Sequence, residues 1–96
     1  MTGFVELRLP GLLAQDAGGG AVHRVDAGTV ATVADLLDRV EADWPVLGRR
    51  LRDETGALRS FVNVYVGQDD VRWSQGLATA VGPGDVVLVL PSVAGG

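Results

Sequence analysis

The sequence contains no cysteine and no lysine, and these two absences exclude several kinds of chemistry. Without cysteine the chain has no disulfide, no thiolate metal ligand, no iron–sulfur ligand and no cysteine nucleophile. All eight basic residues are arginines, so a Schiff-base lysine and the lysine of a phosphate-binding loop are excluded as well.

Positive charge and long apolar runs are also scarce. Twelve acidic residues against eight basic residues give a net charge of −4, which argues against a nucleic-acid surface and favours a partner with a basic pocket. No apolar run approaches the roughly 18 residues of a membrane span, and the first residues resemble no signal peptide. We therefore expect a cytoplasmic domain that binds neither nucleic acid nor a membrane.

Alternating apolar residues predict that the chain opens with two antiparallel strands. Residues 4–9 place Val5, Leu7 and Leu9 on one face. The second strand is predicted over residues 21–26, after a glycine-rich connection in which Leu12 and Leu13 are expected to lie under the edge of the core.

One main helix is predicted to begin at Thr32 and to end at Pro45. Thr32 and Asp35 have the spacing of a capping box. A short second helical segment is predicted over residues 46–52. The apolar stripe of the main helix has helical spacing and comprises Val33, Leu36, Leu37, Val40 and Trp44.

Three further strands are predicted in the second half of the chain, over residues 61–66, 71–73 and 86–90. A type II turn at residues 82–85 leads into the last of them. Because this strand is apolar throughout, we place it centrally, parallel to the first strand. The fold class is α+β, a mixed sheet crossed by one main helix. Strand pairing is expected to lapse at Pro91, which gives a domain over residues 1–90 and a flexible tail over 91–96.

Few side chains are candidates for catalysis or metal binding. His23 is the only histidine and lies in a predicted strand. Four carboxylates of the main helix could be interpreted as an acid–base site, but their positions are typical of a solvated helix face. The basic cluster at residues 49–52 is interpreted in the same way, with loose pairing to nearby acids. The four carboxylates are Asp35, Asp38, Glu41 and Asp43.

The tail follows directly after the strongest apolar strand, and it ends on Gly95 and Gly96. Neither residue has a Cβ, so the backbone can enter a narrow slot in another protein. This arrangement suits a carboxylate that is activated in the active site of a partner enzyme. The alternative is an ordinary small, polar terminus without a function.

Three stretches of the chain resemble the MoaD/ThiS family of ubiquitin-like sulfur carriers, which have a β-grasp fold. They are FVNVYV at 61–66, GDVVLVLP at 84–91 and VAGG at 93–96. Within the family, residues 70–81 and 90–96 are most similar to the actinobacterial CysO type, the carrier of cysteine biosynthesis. Trp73 and Ser92 depart from that type, which has Phe and Ala at these positions.

The resemblance implies a carrier and not an enzyme, with no cofactor of its own. An E1-like enzyme would use ATP with magnesium to adenylate Gly96, and sulfur would then give a C-terminal thiocarboxylate. The partner would recognise the tail through Val93, Ala94 and Gly95. A sulfur-accepting synthase would consume the cargo for cysteine, or for molybdopterin, thiamin or another sulfur-containing metabolite. Two alternatives are a ubiquitin-like modifier of lysines and a plain interaction module.

The last strand also predicts where a partner docks. Since it is apolar on both faces and one helix covers only one face of a sheet, one set of its side chains should be uncovered. Val86, Leu88 and Leu90 face away from Val87 and Val89. By analogy with ubiquitin, we take Val86, Leu88 and Leu90 as the outward set. The alternative is that residues 74–81 fold over it. The predicted docking residues are Phe61, Tyr65, Val86, Leu88 and Leu90.

Overall fold

The computed structural model describes residues 3–91, which contain five strands and three α-helices. The strands are β1 (Phe4–Arg8), β2 (Val22–Asp26), β3 (Val62–Val66), β4 (Asp69–Asp70) and β5 (Val86–Pro91). The helices are α1 (Gly11–Ala14), α2 (Val33–Asp43) and α3 (Pro45–Leu51).

The five strands form one mixed sheet in the order β2-β1-β5-β3-β4. β5 lies at the centre, parallel to β1 and antiparallel to β3. A parallel pair requires a long crossover, and the chain between β1 and β5 supplies it with the two longer helices. The predicted α+β class and the central, parallel placement of the last strand are confirmed.

The core lies between one face of the sheet and the helices. Val87 and Val89 of β5 are fully buried, as are the apolar positions of α2 that face them. β1 contributes Val5 and Leu7 to the same face. The sheet therefore has one buried face, and its other face lies opposite the helices.

The start of α2 is fixed by the predicted capping box. The Asp35 amide donates to Thr32 Oγ1 at 3.2 Å, and the Asp35 carboxylate accepts from the Thr32 amide at 3.2 Å. α2 ends at Asp43, and Pro45 opens α3, where a proline costs no hydrogen bond. Trp44 between them is only partly buried, at 36% exposure, so the predicted stripe weakens at its last member.

Two local predictions were wrong. Leu13 is buried as expected, but Leu12 is exposed, because residues 11–14 form the short helix α1 and turn Leu12 away from the core. Residues 71–73 form a 3-10 turn and not a strand. The Asp70 carboxylate accepts from the Arg72 amide at 2.9 Å, which favours a tight turn over an extended chain.

Pairing does not lapse at Pro91, which is the last residue of β5 and lies opposite Val62. Both backbone groups of Val62 are bonded elsewhere: its amide donates to the Arg59 carbonyl, and its carbonyl accepts from Arg72. The pair is therefore one that exchanges no ladder hydrogen bonds, so the missing N–H of proline costs nothing there.

Candidate functional site

Four of the five predicted docking residues lie in β3 and β5 on the sheet face opposite the helices, and the fifth, Phe61, lies in the turn before β3. Along β5, Val86, Leu88 and Leu90 alternate with the buried Val87 and Val89. Tyr65 is the cross-strand partner of Leu88, and Phe61 precedes β3 with 50% of its surface exposed. We call this surface the docking face: Phe61, Tyr65, Val86, Leu88 and Leu90.

The docking face is bordered by charged residues. On one side Arg8 and Glu6 form an ion pair on β1, and they are the cross-strand partners of Leu88 and Val86. On the other side Asp70 lies opposite Tyr65. An apolar centre with a polar rim is the usual anatomy of a protein–protein interface. Its role in docking stays a prediction.

Residues 74–81 do not cover the docking face. The Thr79 carbonyl accepts from the Val33 amide at 2.9 Å, and Ala80 forms a bridge with Thr32. Leu77 packs against the core. The segment therefore lies along the start of α2, on the helix side of the sheet, and the alternative of a covering loop is wrong.

The tail residues lie beyond the part of the chain that the structure describes. The predictions for Gly96 as the sulfur-carrying residue and for Val93, Ala94 and Gly95 as recognition residues stay predictions. The structure does place the base of the tail. Pro91 is at the end of the central strand, beside Val62 of β3.

The carboxylates of α2 are engaged in structural contacts. Asp35 caps the helix, Asp43 pairs with Arg39 at 3.0 Å, and Asp38 pairs with Arg52 at 2.8 Å. Within residues 3–91, no group of three or more His, Asp or Glu side chains is arranged to hold a metal ion.

The single histidine also has a local contact. His23 Nε2 lies 2.7 Å from the Gly20 carbonyl, and the ring centroids of His23 and Trp44 are 6.2 Å apart. Within residues 3–91, the ring bonds to this backbone carbonyl and not to a serine or a carboxylate. These contacts explain His23 without a catalytic role.

A polar cavity of about 550 Å³ lies between α2, α3 and the loop at residues 53–56. The Thr55 hydroxyl and amide donate to Asp53, and these hydrogen bonds lower the pKa of that carboxyl. Arg52, whose side chain is 10% exposed, lies against Asp38 and Glu41. Three arginines and four carboxylates line this cavity, so it favours neither an anion nor a cation.

Sequence reasoning missed the environment of Arg72. Its Nη2 atom donates to the Ser60 carbonyl at 3.1 Å and to the Val62 carbonyl at 2.7 Å. The contact ties the 3-10 turn to the start of β3 and leaves Trp73 facing solvent. The Asp70 side chain, which favours such turns, was the available sequence signal.

Comparison with known proteins identifies the family. The sequence profile of the ThiS family matches residues 8–96, nearly the whole chain. The chain belongs to the ThiS family. Among the relatives of this chain, the sulfur carrier protein CysO of Mycobacterium tuberculosis is 41% identical over 95 residues, which cover 96% of this chain and 98% of CysO. The small archaeal modifier protein 3 of Haloferax volcanii is 42% identical over 66 residues, 69% of this chain and 71% of that protein.

Solved structures agree with this ThiS-family assignment. The crystal structure of M. tuberculosis CysO superposes with a TM-score of 0.80 at 38% identity, over 93% of this chain and 99% of CysO. One chain of the BexX/CysO complex of Amycolatopsis orientalis superposes with a TM-score of 0.77 at 39% identity, over 96% of this chain and 99% of that chain. The predicted β-grasp fold and the resemblance to the CysO type are confirmed. The CysO relatives are named as small sulfur carriers, which is consistent with a protein that is not an enzyme.

No helix within residues 3–91 is both long and apolar enough to cross a membrane.

Proposed function

We propose that this chain is a sulfur carrier whose Gly96 carboxylate is converted to a thiocarboxylate. In the first step the carboxylate oxygen attacks the α-phosphorus of ATP, which forms an acyl adenylate and releases pyrophosphate. In the second step a sulfur donor attacks the acyl carbon and displaces AMP. Activation of a carboxylate in this way divides one difficult substitution into two easier ones.

The observation that carries the proposal is the identity with CysO over almost the full length of both chains. A likeness confined to the sheet would support the fold alone, whereas this one covers 98% of a named sulfur carrier. The ThiS-family match also runs through residue 96, so it includes the Gly95–Gly96 end.

The chain's own residues suit this role. Five residues follow Pro91, and fully extended they reach about 17 Å, enough to enter an enzyme's active site. Gly95 and Gly96 carry no Cβ that would widen the slot they need. Because the chain has no cysteine, no internal thiol can attack the acyl adenylate.

The remaining components belong to partners. An E1-like adenylating enzyme binds ATP with magnesium and seats the tail, while the carrier binds no cofactor. A synthase then accepts the sulfur, and the CysO relatives favour cysteine as the product. A CysO protein has been crystallised in complex with BexX, which supports a carrier that functions by docking on a partner protein.

The direct test is reconstitution with the E1-like enzyme from the same source. After incubation with ATP and sulfide, the intact mass should rise by about 16 Da, the replacement of oxygen by sulfur. A chain that lacks Gly96 should show no rise, and omission of ATP should abolish it for the full chain. A mass gain that survives deletion of Gly96 places the chemistry elsewhere.

A ubiquitin-like modifier is the second candidate, favoured by the identity with small archaeal modifier protein 3. In that role the activated Gly96 would acylate a lysine on a target protein. The chain has no lysine, so it could not extend itself into a polymer through its own side chains. Isopeptide bonds between Gly96 and lysines of other proteins in the source cell would support this function over the carrier.

A further inference from the structure

Trp73 is the most exposed of the large apolar side chains in the described part of the chain. Its exposure is 86%, compared with 50% for Phe61 and 36% for Leu90. An indole ring is among the largest apolar groups a chain can bury, and here almost none of that area is removed from water. Stability of the fold therefore does not explain the tryptophan.

The residues around Trp73 do have structural roles. Val71 is fully buried, and Arg72 donates to two backbone carbonyls of the chain before and within β3. Leu77 packs against the core, and Thr79 Oγ1 accepts from the Gln75 amide. Trp73 is the one large apolar side chain of residues 71–80 that is exposed, although the segment around it is bonded to the domain.

The turn that carries Trp73 is bonded, through Arg72, to residues near the base of the tail. Arg72 binds the carbonyls of Ser60 and Val62, the two residues that flank Phe61. Val62 in turn lies opposite Pro91, the last described residue. Trp73 is the next residue after Arg72, so it lies about one arginine side-chain length from the segment that carries Phe61 and from the strand end where the tail begins.

We propose that Trp73 is an anchor for the E1-like activating enzyme, an inference that rests on the proposed function. An enzyme that activates Gly96 must approach within about 17 Å of Pro91, the reach of five extended residues, so it comes close to Trp73. Phe61, which lies between the two residues that Arg72 binds, belongs to the docking face. Exposed aromatic residues of this kind are frequent anchors at interfaces.

The choice of the activating enzyme over the sulfur-accepting synthase follows from what each must recognise. The Gly95–Gly96 end has no side chains and the tail before it is short, so the activating enzyme needs the folded surface near the tail to identify its substrate. A synthase meets a thiocarboxylate, a group that differs chemically from any ordinary chain end. Surface anchors are therefore needed most at the activation step.

The test compares Trp73→Ala, Trp73→Phe and Phe4→Ala in steady-state formation of the thiocarboxylate, followed by intact mass. Phe4 is a matched control because it is an aromatic residue with 56% exposure. It lies at the opposite end of the sheet, where its carbonyl accepts from the Gly84 amide. Thermal unfolding of each variant should equal that of the unmodified chain, since Trp73 is already in water.

We expect Trp73→Ala to raise KM about 10- to 30-fold with little change in kcat, the effect of truncating an interface anchor. Trp73→Phe should recover most of the loss, and Phe4→Ala should behave like the unmodified chain. Trp73→Ala that has been loaded at high enzyme concentration should pass its sulfur to the synthase at the normal rate.

An unchanged KM for Trp73→Ala overturns the inference, as does an equal rise for Phe4→Ala. If Trp73→Ala has a normal KM but transfers its sulfur slowly to the synthase, Trp73 is an anchor for the synthase, and the inference is overturned as well. If the unmodified chain is not loaded at all, the proposed function fails first, so the two failures are distinguishable.

Discussion

Substitutions at two adjacent residues of β5 distinguish an effect on docking from an effect on folding. Val87 is fully buried against the helices, and Leu88 lies on the docking face. We predict that Leu88→Asp weakens binding to the activating enzyme while the domain stays folded, whereas Val87→Asp unfolds it. The two substitutions introduce the same side chain one position apart, so each is the control for the other.

The expected magnitudes follow from burial. Val87→Asp forfeits about 1.5–3 kcal/mol of apolar burial and adds several kcal/mol for a carboxyl group without a partner in the core. The sum is comparable with the whole stability of a small domain, about 5–15 kcal/mol. Leu88 is partly exposed and Arg8 is its cross-strand partner, so Leu88→Asp should cost only about 1–2 kcal/mol.

Thermal unfolding and titration against the activating enzyme measure the two effects. Leu88→Asp should unfold within about 15 °C of the unmodified chain and should bind at least about tenfold more weakly. Normal binding by folded Leu88→Asp would show that the docking face is not the interface. Unfolding of Leu88→Asp would mean that Leu88 belongs to the core.

Two further predictions concern glycines. Gly48→Ala should lower stability by about 1–2 kcal/mol, although alanine favours helices, because the added Cβ would lie 2.7 Å from Glu41 Cβ in α2. Gly11→Ala is the matched control in thermal unfolding, because a Cβ added there meets nothing within 4 Å. Equal melting temperatures of the two variants would refute the close approach at Gly48. Gly95→Val should block thiocarboxylate formation without changing thermal unfolding, since a branched side chain would not fit a narrow slot. Normal loading of that variant would show that no tight slot exists.

The sequence was sufficient for those parts of the fold in which one physical signal dominates. The apolar run of residues 86–90 indicated a central strand, and the spacing of Thr32 and Asp35 indicated the helix start. Pro91 was misjudged because the cost of a proline depends on which way its nitrogen points. That direction follows from the pairing with Val62 and cannot be read from the proline alone.

The site was predictable to a similar extent. Alternation along β5 identified Val86, Leu88 and Leu90 as one face, and the helix placement decided that this face is the outer one. The residue types at 71–73 favour a strand, so the sequence predicts a strand that includes Trp73. Its exposure depends on the hydrogen bonds of Asp70 and Arg72 to the backbone, and tertiary contacts of that kind leave only a weak trace in the sequence.

The most direct test of the central claim locates the sulfur within the loaded chain. After incubation with ATP, sulfide and the activating enzyme, the intact protein is fragmented in the mass spectrometer. We predict that the gain of about 16 Da is carried by every fragment that contains Gly96 and by none that lacks it. A gain found on fragments that end before Gly96, or no gain from an enzyme that loads its other substrates, would contradict the assignment of this chain as a carrier of sulfur on its C-terminal glycine.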